Sequence, residues 1–213
     1  MTYSSTHLLQ IVDLCCERDG RYLIENMNLT VEEGAIYQFE GPNGCGKTTL
    51  LRVLCGLSAR FQGQLLWQGS PIDQQRTVFN ASLLYLGHST GVKAALSPRE
   101  NLQWHASIKG LSSGSAHIAI DQALAKVGLY GYEDSPCYTL SMGQQRRVGL
   151  ARLFIGKPSL WVLDEPFSAI DKEGVAQLEQ WIAEFAQAGG SVILTTHHEL
   201  KVSYPVQYIR LGD

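Results

Sequence analysis

Residues 41–49, with the sequence GPNGCGKTT, constrain this chain more than any other stretch. They match the pattern G-x-x-x-x-G-K-T, in which a glycine-rich turn lets successive backbone N–H groups point at an anion. The residues before them alternate as in a strand, and 49–55 read as a helix closed by Gly56. A helix that begins near Thr48 would direct its positive end at bound phosphates. The stretch therefore predicts a site for a nucleoside triphosphate.

The side chains of this phosphate loop have separate predicted roles. The Lys47 ammonium is expected to neutralise charge on the β- and γ-phosphates, and the Thr48 hydroxyl is expected to ligate Mg²⁺. A glycine turn without a ligand is disfavoured, because Lys-Thr is present and the flanking residues fit. For Cys45 two interpretations stay open: a small residue that fits the turn, or a thiol whose oxidation would block the nucleotide. The residues predicted to bind the nucleotide are Gly41, Asn43, Gly44, Cys45, Gly46, Lys47, Thr48 and Thr49.

Composition narrows the class of protein. The chain has 213 residues, of which 45% are hydrophobic, enough for one large α/β domain or two small ones. Its formal net charge of −3 gives no basic surplus, so we expect no nucleic-acid partner. No apolar run reaches the roughly 18 residues that a membrane span needs, and residues 1–7 lack the pattern of a secretory signal. Five cysteines without C-x-x-C spacing suit a reducing cytosol without disulfides or a zinc site.

The distribution of patterns along the chain predicts a helical insertion in an α/β core. Residues 8–40 are typical of strands, with a turn at 18–20. Ser97, Pro98 and Glu100 form the start signal of a helix. The other predicted elements are strands at 64–69, 82–86, 160–163 and 191–196 and an edge strand at 208–211. Helices are predicted at 116–127, in a run that follows 141–144 and reaches Gly156, and through Val175, Leu178, Ile182 and Phe185. We expect a single domain over 1–213, with a core at about 1–87 and 140–213 and a helical subdomain at about 88–139.

Two carboxylates follow the buried strand at 160–163. At the carboxyl edge of a parallel sheet they would lie beside the phosphate loop. Asp164 is expected to hold Mg²⁺, directly or through water, and Glu165 to polarise the attacking water as general base. The alternative is that the acids only cap the helix that follows the strand.

Residues 140–144, LSMGQ, carry the most specific signal. A helix N-terminus with the Ser141 hydroxyl and the Gly143 N–H can bind an anion. The spacing of Ser141 and Gln144 also fits an ordinary capping box, which uses the same free N–H groups. The stretch resembles L-S-G-G-Q, the signature of the ATP-binding-cassette (ABC) family.

The resemblance to this family covers essentially the whole chain and implies its fold, an ABC-type P-loop nucleotide-binding domain with a mixed sheet core. It implies a head-to-tail dimer with a second copy, in which Ser141, Gly143 and Gln144 meet the γ-phosphate bound by the other subunit. Residues 168–171, SAID, are similar to the family's S-A-L-D loop at that interface. His197, after Thr195-Thr196, stands where the family has a histidine that contacts the γ-phosphate and senses hydrolysis.

Two positions depart from the family's pattern. His88 stands where a glutamine normally touches Mg²⁺ and water and links to the membrane partner. A ring nitrogen of His88 could bind the metal-bound water in place of the glutamine. The alternative is that the link between ATP hydrolysis and the membrane partner is altered in this chain. Near residue 18 the family usually has an aromatic residue that stacks on adenine. Here Arg18 could stack its guanidinium group on the base, or Tyr22 could reach over it.

The stretches 87–91 (GHSTG), 40–44 (EGPNG) and 164–171 (DEPFSAID) together resemble the ATP-binding subunits of bacterial cytochrome c maturation systems, often called haem exporters. This resemblance implies an ATPase on the cytoplasmic side of the bacterial inner membrane, with ATP and Mg²⁺ as cofactors. Its partners would be integral membrane subunits, and it would power haem export or the release of a haem-loaded chaperone. The alternatives are the ATPase of another exporter, a soluble ABC ATPase of DNA repair or the ribosome, and a nucleotide-binding scaffold without turnover.

Overall fold

The computed structural model describes residues 7–18, 20–111 and 113–212. Residues 1–6, for which no secretory signal is expected, lie outside the described residues. The strands are β1 (His7–Arg18), β2 (Arg21–Glu32), β3 (Ile36–Glu40), β4 (Gln62–Trp67), β5 (Ser70–Pro71), β6 (Leu83–Leu86), β7 (Leu160–Asp164), β8 (Ser191–Thr195) and β9 (Val206–Arg210). The helices are α1 (Lys47–Leu54), α2 (Arg76–Ser82), α3 (Pro98–Ile108), α4 (Ser113–Lys126), α5 (Met142–Ala151) and α6 (Lys172–Gln187).

The chain divides into two units. The first comprises Met1–Tyr85, Pro158–Pro166 and Ala176–Asp213, and the second comprises Leu86–Lys157 and Phe167–Val175. The single domain with a core and a helical subdomain at 88–139 stays a prediction. Among the residues that the structure describes, no helix has both the length and the apolar character needed to cross a membrane.

An antiparallel sheet in the order β2-β1-β4-β5 forms one layer of the first unit. Leu9 lies in register with Val31 on one side and with Trp67 on the other. The turn predicted at 18–20 joins β1 to β2, and its middle residue, Asp19, lies outside the described residues. Trp67 packs edge-to-face on Phe79 of α2, with the ring centroids 5.2 Å apart. This contact anchors α2, a helix that the sequence did not predict because Phe79 is its one buried residue.

The second sheet has the order β6-β7-β8-β3-β9, in which β3, β7, β8 and β9 pair in parallel. Every residue of β7 and β8 is buried, as expected for strands covered on both faces. The carboxyl ends of β3, β7 and β8 meet at one edge of the sheet. The residues that follow these three ends therefore lie near one another, as in other open α/β sheets.

In the second unit, α3 begins as predicted, with a complete capping box between Ser97 and Glu100. The helix predicted at 116–127 begins earlier than expected, because α4 extends over Ser113–Lys126. The helical run expected after 141–144 begins earlier, at Met142. It ends as α5 at Ala151 rather than at Gly156, and the chain tightens into a 3-10 turn at Arg152–Phe154. Tightening of this kind is common in the last turn of a helix.

Candidate functional site

The phosphate loop connects β3 to α1 in the first unit. Gly46, the residue before α1, has φ 103°, and a Cβ there would lie 2.9 Å from the Cβ of Leu23. Gly41 has φ 152°, and its Cβ would lie 2.5 Å from the carbonyl oxygen of Leu211. Both positions require glycine, because a side chain would collide and the positive φ would be strained.

Lys47 is fixed within this loop. Its Nζ donates to the carbonyl oxygen of Gly41 at 2.7 Å and to that of Pro42 at 3.1 Å. The N–H of Cys45 donates to the same Pro42 carbonyl at 3.3 Å, which closes the turn. The ammonium charge is therefore held against the backbone from which a bound phosphate would be contacted.

Asp164, the last residue of β7, is 1% exposed. Its Oδ1 accepts a hydrogen bond from Oγ1 of Thr195 at 2.8 Å. Its Oδ2 is buried and has no hydrogen-bond partner among the described residues. Burying a carboxylate oxygen without a partner is costly, so this atom fits a ligand of a divalent cation such as Mg²⁺.

The electrostatic effect of Asp164 reaches two neighbouring side chains. Burial raises the pKa of the Tyr85 hydroxyl to about 12, and the negative charge of Asp164 adds to the rise. Burial and then the same charge raise the pKa of the Cys55 thiol. The carboxylate therefore makes this end of β7 electronegative, which favours a cation there.

Glu165 follows Asp164 with φ 50°, an unusual conformation for a residue other than glycine. Its N–H holds this conformation by donating to the carbonyl oxygen of Thr195 at 3.0 Å and to its Oγ1 at 3.2 Å. Strain of this kind costs roughly 1–3 kcal/mol and tends to occur where a side chain must point in a particular direction. The Glu165 side chain is 21% exposed, so water can reach it.

His197 lies next to Glu165 and to the phosphate loop. Its Nε2 is 3.0 Å from Oδ1 of Asn43 and 3.7 Å from Oε1 of Glu165. The sequence assigned Asn43 to phosphate binding and gave no sign of its contact with a histidine 154 positions away. The loop after β8 is thereby joined to the phosphate loop and to the end of β7.

A cavity of about 710 Å³ lies between the phosphate loop and the two acids. Its walls include Asn43, Gly44, Gly46, Lys47, Thr48, Thr49, Asp164 and Glu165. Arg18, Arg21 and Leu23 also line it, and the stacking of Arg18 on a base stays a prediction. Tyr22 lines a different cavity, beside Ile209 and Arg210. Sequence reasoning missed Arg21 and Leu23. Arg21 pairs with Arg18 across β1 and β2, and Leu23 lies two residues further along β2 on the same face as Arg21.

The Thr195 hydroxyl makes hydrogen bonds to both Asp164 and Glu165. Replacing Thr195 therefore tests how much these contacts stabilise the site. We expect Thr195→Val to lower the free energy of unfolding by about 2–4 kcal/mol, because it removes a donor to the buried Asp164 and an acceptor for Glu165. Urea unfolding measures this loss. Thr195→Ser keeps the hydroxyl and serves as the matched control. Equal stability of the Val and Ser variants would contradict this account.

In the second unit, Ser141 is the N-cap of α5. Its Oγ accepts from the N–H of Gln144 at 3.2 Å, and its own N–H donates to Oε1 of Gln144 at 2.9 Å. The capping box that the sequence left open is therefore present. A Cβ at Gly143 would lie 3.8 Å from the carbonyl oxygen of Ala169, which is an ordinary van der Waals distance. The neighbouring Met142 is 78% exposed. An anion site at this N-terminus stays a prediction.

The loop at 168–171 is tied to α5 within the same unit. Nη2 of Arg147 lies 3.3 Å from Oδ2 of Asp171, while its Nη1 donates to the carbonyl oxygen of Val127. Asp171 also accepts from the N–H of Gly174 at 2.8 Å. His88 is exposed, and its backbone oxygen accepts from Arg146 at 3.3 Å. The role expected of the His88 side chain stays a prediction.

Comparison with known proteins supplies the family context. Residues 24–168 match the sequence profile of the ABC transporter family. The Cytochrome c biogenesis ATP-binding export protein CcmA of Hahella chejuensis is 54% identical over 208 residues, which cover 97% of this chain and 97% of that protein. The protein of the same name from Vibrio parahaemolyticus is 47% identical over 207 residues, covering 97% of this chain and 100% of that protein.

Solved structures agree with these sequence relatives. A putative ABC transporter ATP-binding protein from Pyrococcus furiosus has a TM-score of 0.80 at 29% identity, over 95% of this chain and 96% of that chain. An ATP-binding cassette in a dimeric post-hydrolysis state, bound to ADP and Pi, has a TM-score of 0.84 over 97% of both chains. At 20% identity this second likeness bears on the fold alone.

Proposed function

Because the chain belongs to the ABC transporter family, and within it to the cytochrome c biogenesis ATP-binding export proteins, we propose that it is the ATP-hydrolysing subunit of a membrane complex in c-type cytochrome biogenesis. It is an ATPase that converts ATP and water to ADP and phosphate. The similarity to a relative that is 54% identical over 97% of the chain carries the proposal. It is supported by a cavity lined by the phosphate loop, Asp164 and Glu165, and by the contact of His197 with Asn43 of that loop.

ATP binds in the first unit through the phosphate loop. The backbone N–H groups of 43–49 and the N-terminus of α1 stabilise the phosphate charges, and Lys47 neutralises them. The hydrogen bonds of Lys47 to the Gly41 and Pro42 carbonyls support this role, because they hold the ammonium group within the phosphate loop. The guanidinium plane of Arg18 stacks on the base, a role supported by the position of Arg18 in the wall of the same cavity.

Mg²⁺ would be held by Thr48 and Asp164. The unpartnered Oδ2 of Asp164 supports this assignment, because hard oxygen ligands are those that Mg²⁺ prefers. When bound, the ion neutralises charge that develops on the β- and γ-phosphate oxygens. Thr195 keeps Asp164 in place by donating to its other oxygen.

Glu165 orients the attacking water and accepts its proton. Its fixed backbone directs the carboxylate into the cavity, and Asp164 beside it is left free for the cation. His197 contacts the γ-phosphate and responds to its loss. Its hydrogen bond to Asn43 supports this role, because Asn43 belongs to the phosphate loop itself.

A second copy of the chain completes each site. Ser141, Gly143 and Gln144 at the start of α5 meet the γ-phosphate bound by the other subunit of a head-to-tail dimer. Binding of ATP closes the dimer and hydrolysis opens it, which moves the membrane partners. Those partners are integral membrane subunits that act in haem export or in release of a haem-loaded chaperone, and the chain works on the cytoplasmic side of the inner membrane.

The proposal is tested by isolating the chain from a bacterial membrane and measuring ATP turnover. We expect it to co-purify with integral membrane proteins and to hydrolyse ATP. Turnover without membrane partners would instead favour a soluble ABC ATPase. Co-purification without turnover would favour a nucleotide-binding scaffold.

His88 is proposed to couple hydrolysis to the membrane partners, because it stands where the family has its glutamine. We expect His88→Ala to lower the amount of mature cytochrome c in cells while ATP hydrolysis by the isolated chain stays close to wild type. His117, another exposed histidine of the second unit, provides the control variant His117→Ala. Normal cytochrome c maturation with His88→Ala would remove the coupling role.

A further inference from the structure

A second histidine, His198, lies directly beside His197 and contacts a different part of the first unit. Its Nε2 is 3.0 Å from Oε1 of Glu179 on α6. A carboxylate accepts hydrogen bonds, so Nε2 of His198 is the donor. The same Oε1 also accepts from the backbone N–H of Lys201 at 2.6 Å. One carboxylate oxygen therefore holds two points of the segment 196–201.

This anchor, the contact between His198 and Glu179, is partly buried. The Glu179 side chain is 10% exposed and that of His198 is 33% exposed. Hydrogen bonds to an ionised group are stronger than neutral ones, and exclusion of water strengthens them further. The N–H of His198 also donates to Oγ1 of Thr196 at 2.9 Å, which fixes the backbone on both sides of His197.

His197 itself is far less restrained. Its side chain is 61% exposed, and its ring makes the hydrogen bond to Asn43 and a longer approach to Glu165. The position of its ring therefore depends on the backbone that carries it. The conformation of that backbone is fixed by His198, the next residue, and by the Glu179 carboxylate that accepts its hydrogen bond.

We propose that Glu179 and His198 are positioning residues that hold the segment 196–201 so that His197 faces the γ-phosphate. They act through His197 and do not touch the nucleotide. The inference rests on the proposed function, because it explains what holds His197 in the position that this function requires. Groups held in a productive geometry by such supporting contacts lose activity when they shift by about 1 Å.

The test uses ATP hydrolysis by the full chain in its membrane complex. We expect His198→Ala to lower kcat by about tenfold, with the KM for ATP nearly unchanged, because the phosphate loop still binds the nucleotide. His198→Gln keeps a donor and should recover most of the rate. Glu179→Gln keeps an acceptor oxygen but loses the charge, so we expect a loss of about threefold.

His7 supplies a matched control. Its Nδ1 lies 2.9 Å from Oε1 of Glu32, and this second histidine–glutamate pair joins β1 to β2 away from the cavity walls. We expect His7→Ala to leave kcat unchanged. A pair that only stabilises the fold would give similar results at both positions.

The decisive comparison is a double variant. If His198 acts through His197, the variant His197→Ala/His198→Ala is no slower than His197→Ala. A double variant that is slower than His197→Ala by the full effect of His198→Ala would overturn the proposal, as would a wild-type kcat in His198→Ala.

Hydrogen exchange separates this inference from the proposed function. In His198→Ala the amide hydrogens of 197–201 should exchange about tenfold faster, corresponding to the loss of one charge-assisted hydrogen bond. A wild-type chain without ATP turnover would contradict the proposed function, whereas unchanged exchange in this segment would contradict the anchor itself.

Discussion

Replacement of Glu165 by glutamine is expected to abolish ATP hydrolysis while ATP binding is retained. The variant keeps the size of the side chain but cannot accept a proton from water, and loss of a general base typically costs about 10²–10⁴-fold in rate. ATP binding should persist, because the phosphate loop and Lys47 are unchanged. Phosphate release under saturating ATP measures the rate, and Glu184→Gln, on the exposed side of α6, is the control.

The same variant should also trap the dimer. With ATP bound and no hydrolysis to open it, two copies are expected to stay associated, and size-exclusion chromatography with ATP should show the larger species. A Glu165→Gln variant that hydrolyses ATP at the parent rate would remove Glu165 from the role of general base. If Glu165→Gln abolishes hydrolysis but forms no dimer with ATP, the result would agree with Glu165 as the general base. It would contradict a site that is completed by a second copy of the chain.

Replacement of Lys47 by alanine is expected to weaken ATP binding by about 10–100-fold, which corresponds to the loss of charge-assisted hydrogen bonds. The ammonium lies against the Gly41 and Pro42 carbonyls within the loop, where a bound phosphate would be contacted. Titration calorimetry with ATP measures the affinity. Lys157→Ala removes an exposed lysine of the second unit and should bind ATP like wild type. Unchanged affinity in Lys47→Ala would refute the assignment.

The part of the site that the sequence predicted consists of short contiguous patterns. The phosphate loop, Asp164 and Glu165 were recognisable because each pattern follows a buried strand, and parallel strands end at one edge. The structure brings them into one cavity. The comparisons confirm the ABC-type fold. They also confirm the resemblance to the cytochrome c biogenesis ATP-binding proteins that 87–91 and 164–171 suggested.

The remaining contacts join residues that are distant in the sequence. Thr195 binding Asp164, and Asn43 binding His197, depend on the register of β8 against its neighbours, which no local pattern reveals. The contact between Glu179 and His198 was missed for the same reason, since Glu179 alone reads as a polar position of a helix. Helix ends were the least accurate part of the fold, as the early end of α5 shows.

The amount of mature cytochrome c, with covalently attached haem, tests the central claim most directly. It is measured in a bacterial strain that lacks this chain and is supplied with either the wild type or Glu165→Gln at equal expression. We predict that the wild type restores mature cytochrome c and that Glu165→Gln does not. Restoration by Glu165→Gln to the wild-type level would contradict the claim that hydrolysis at this site drives cytochrome c biogenesis.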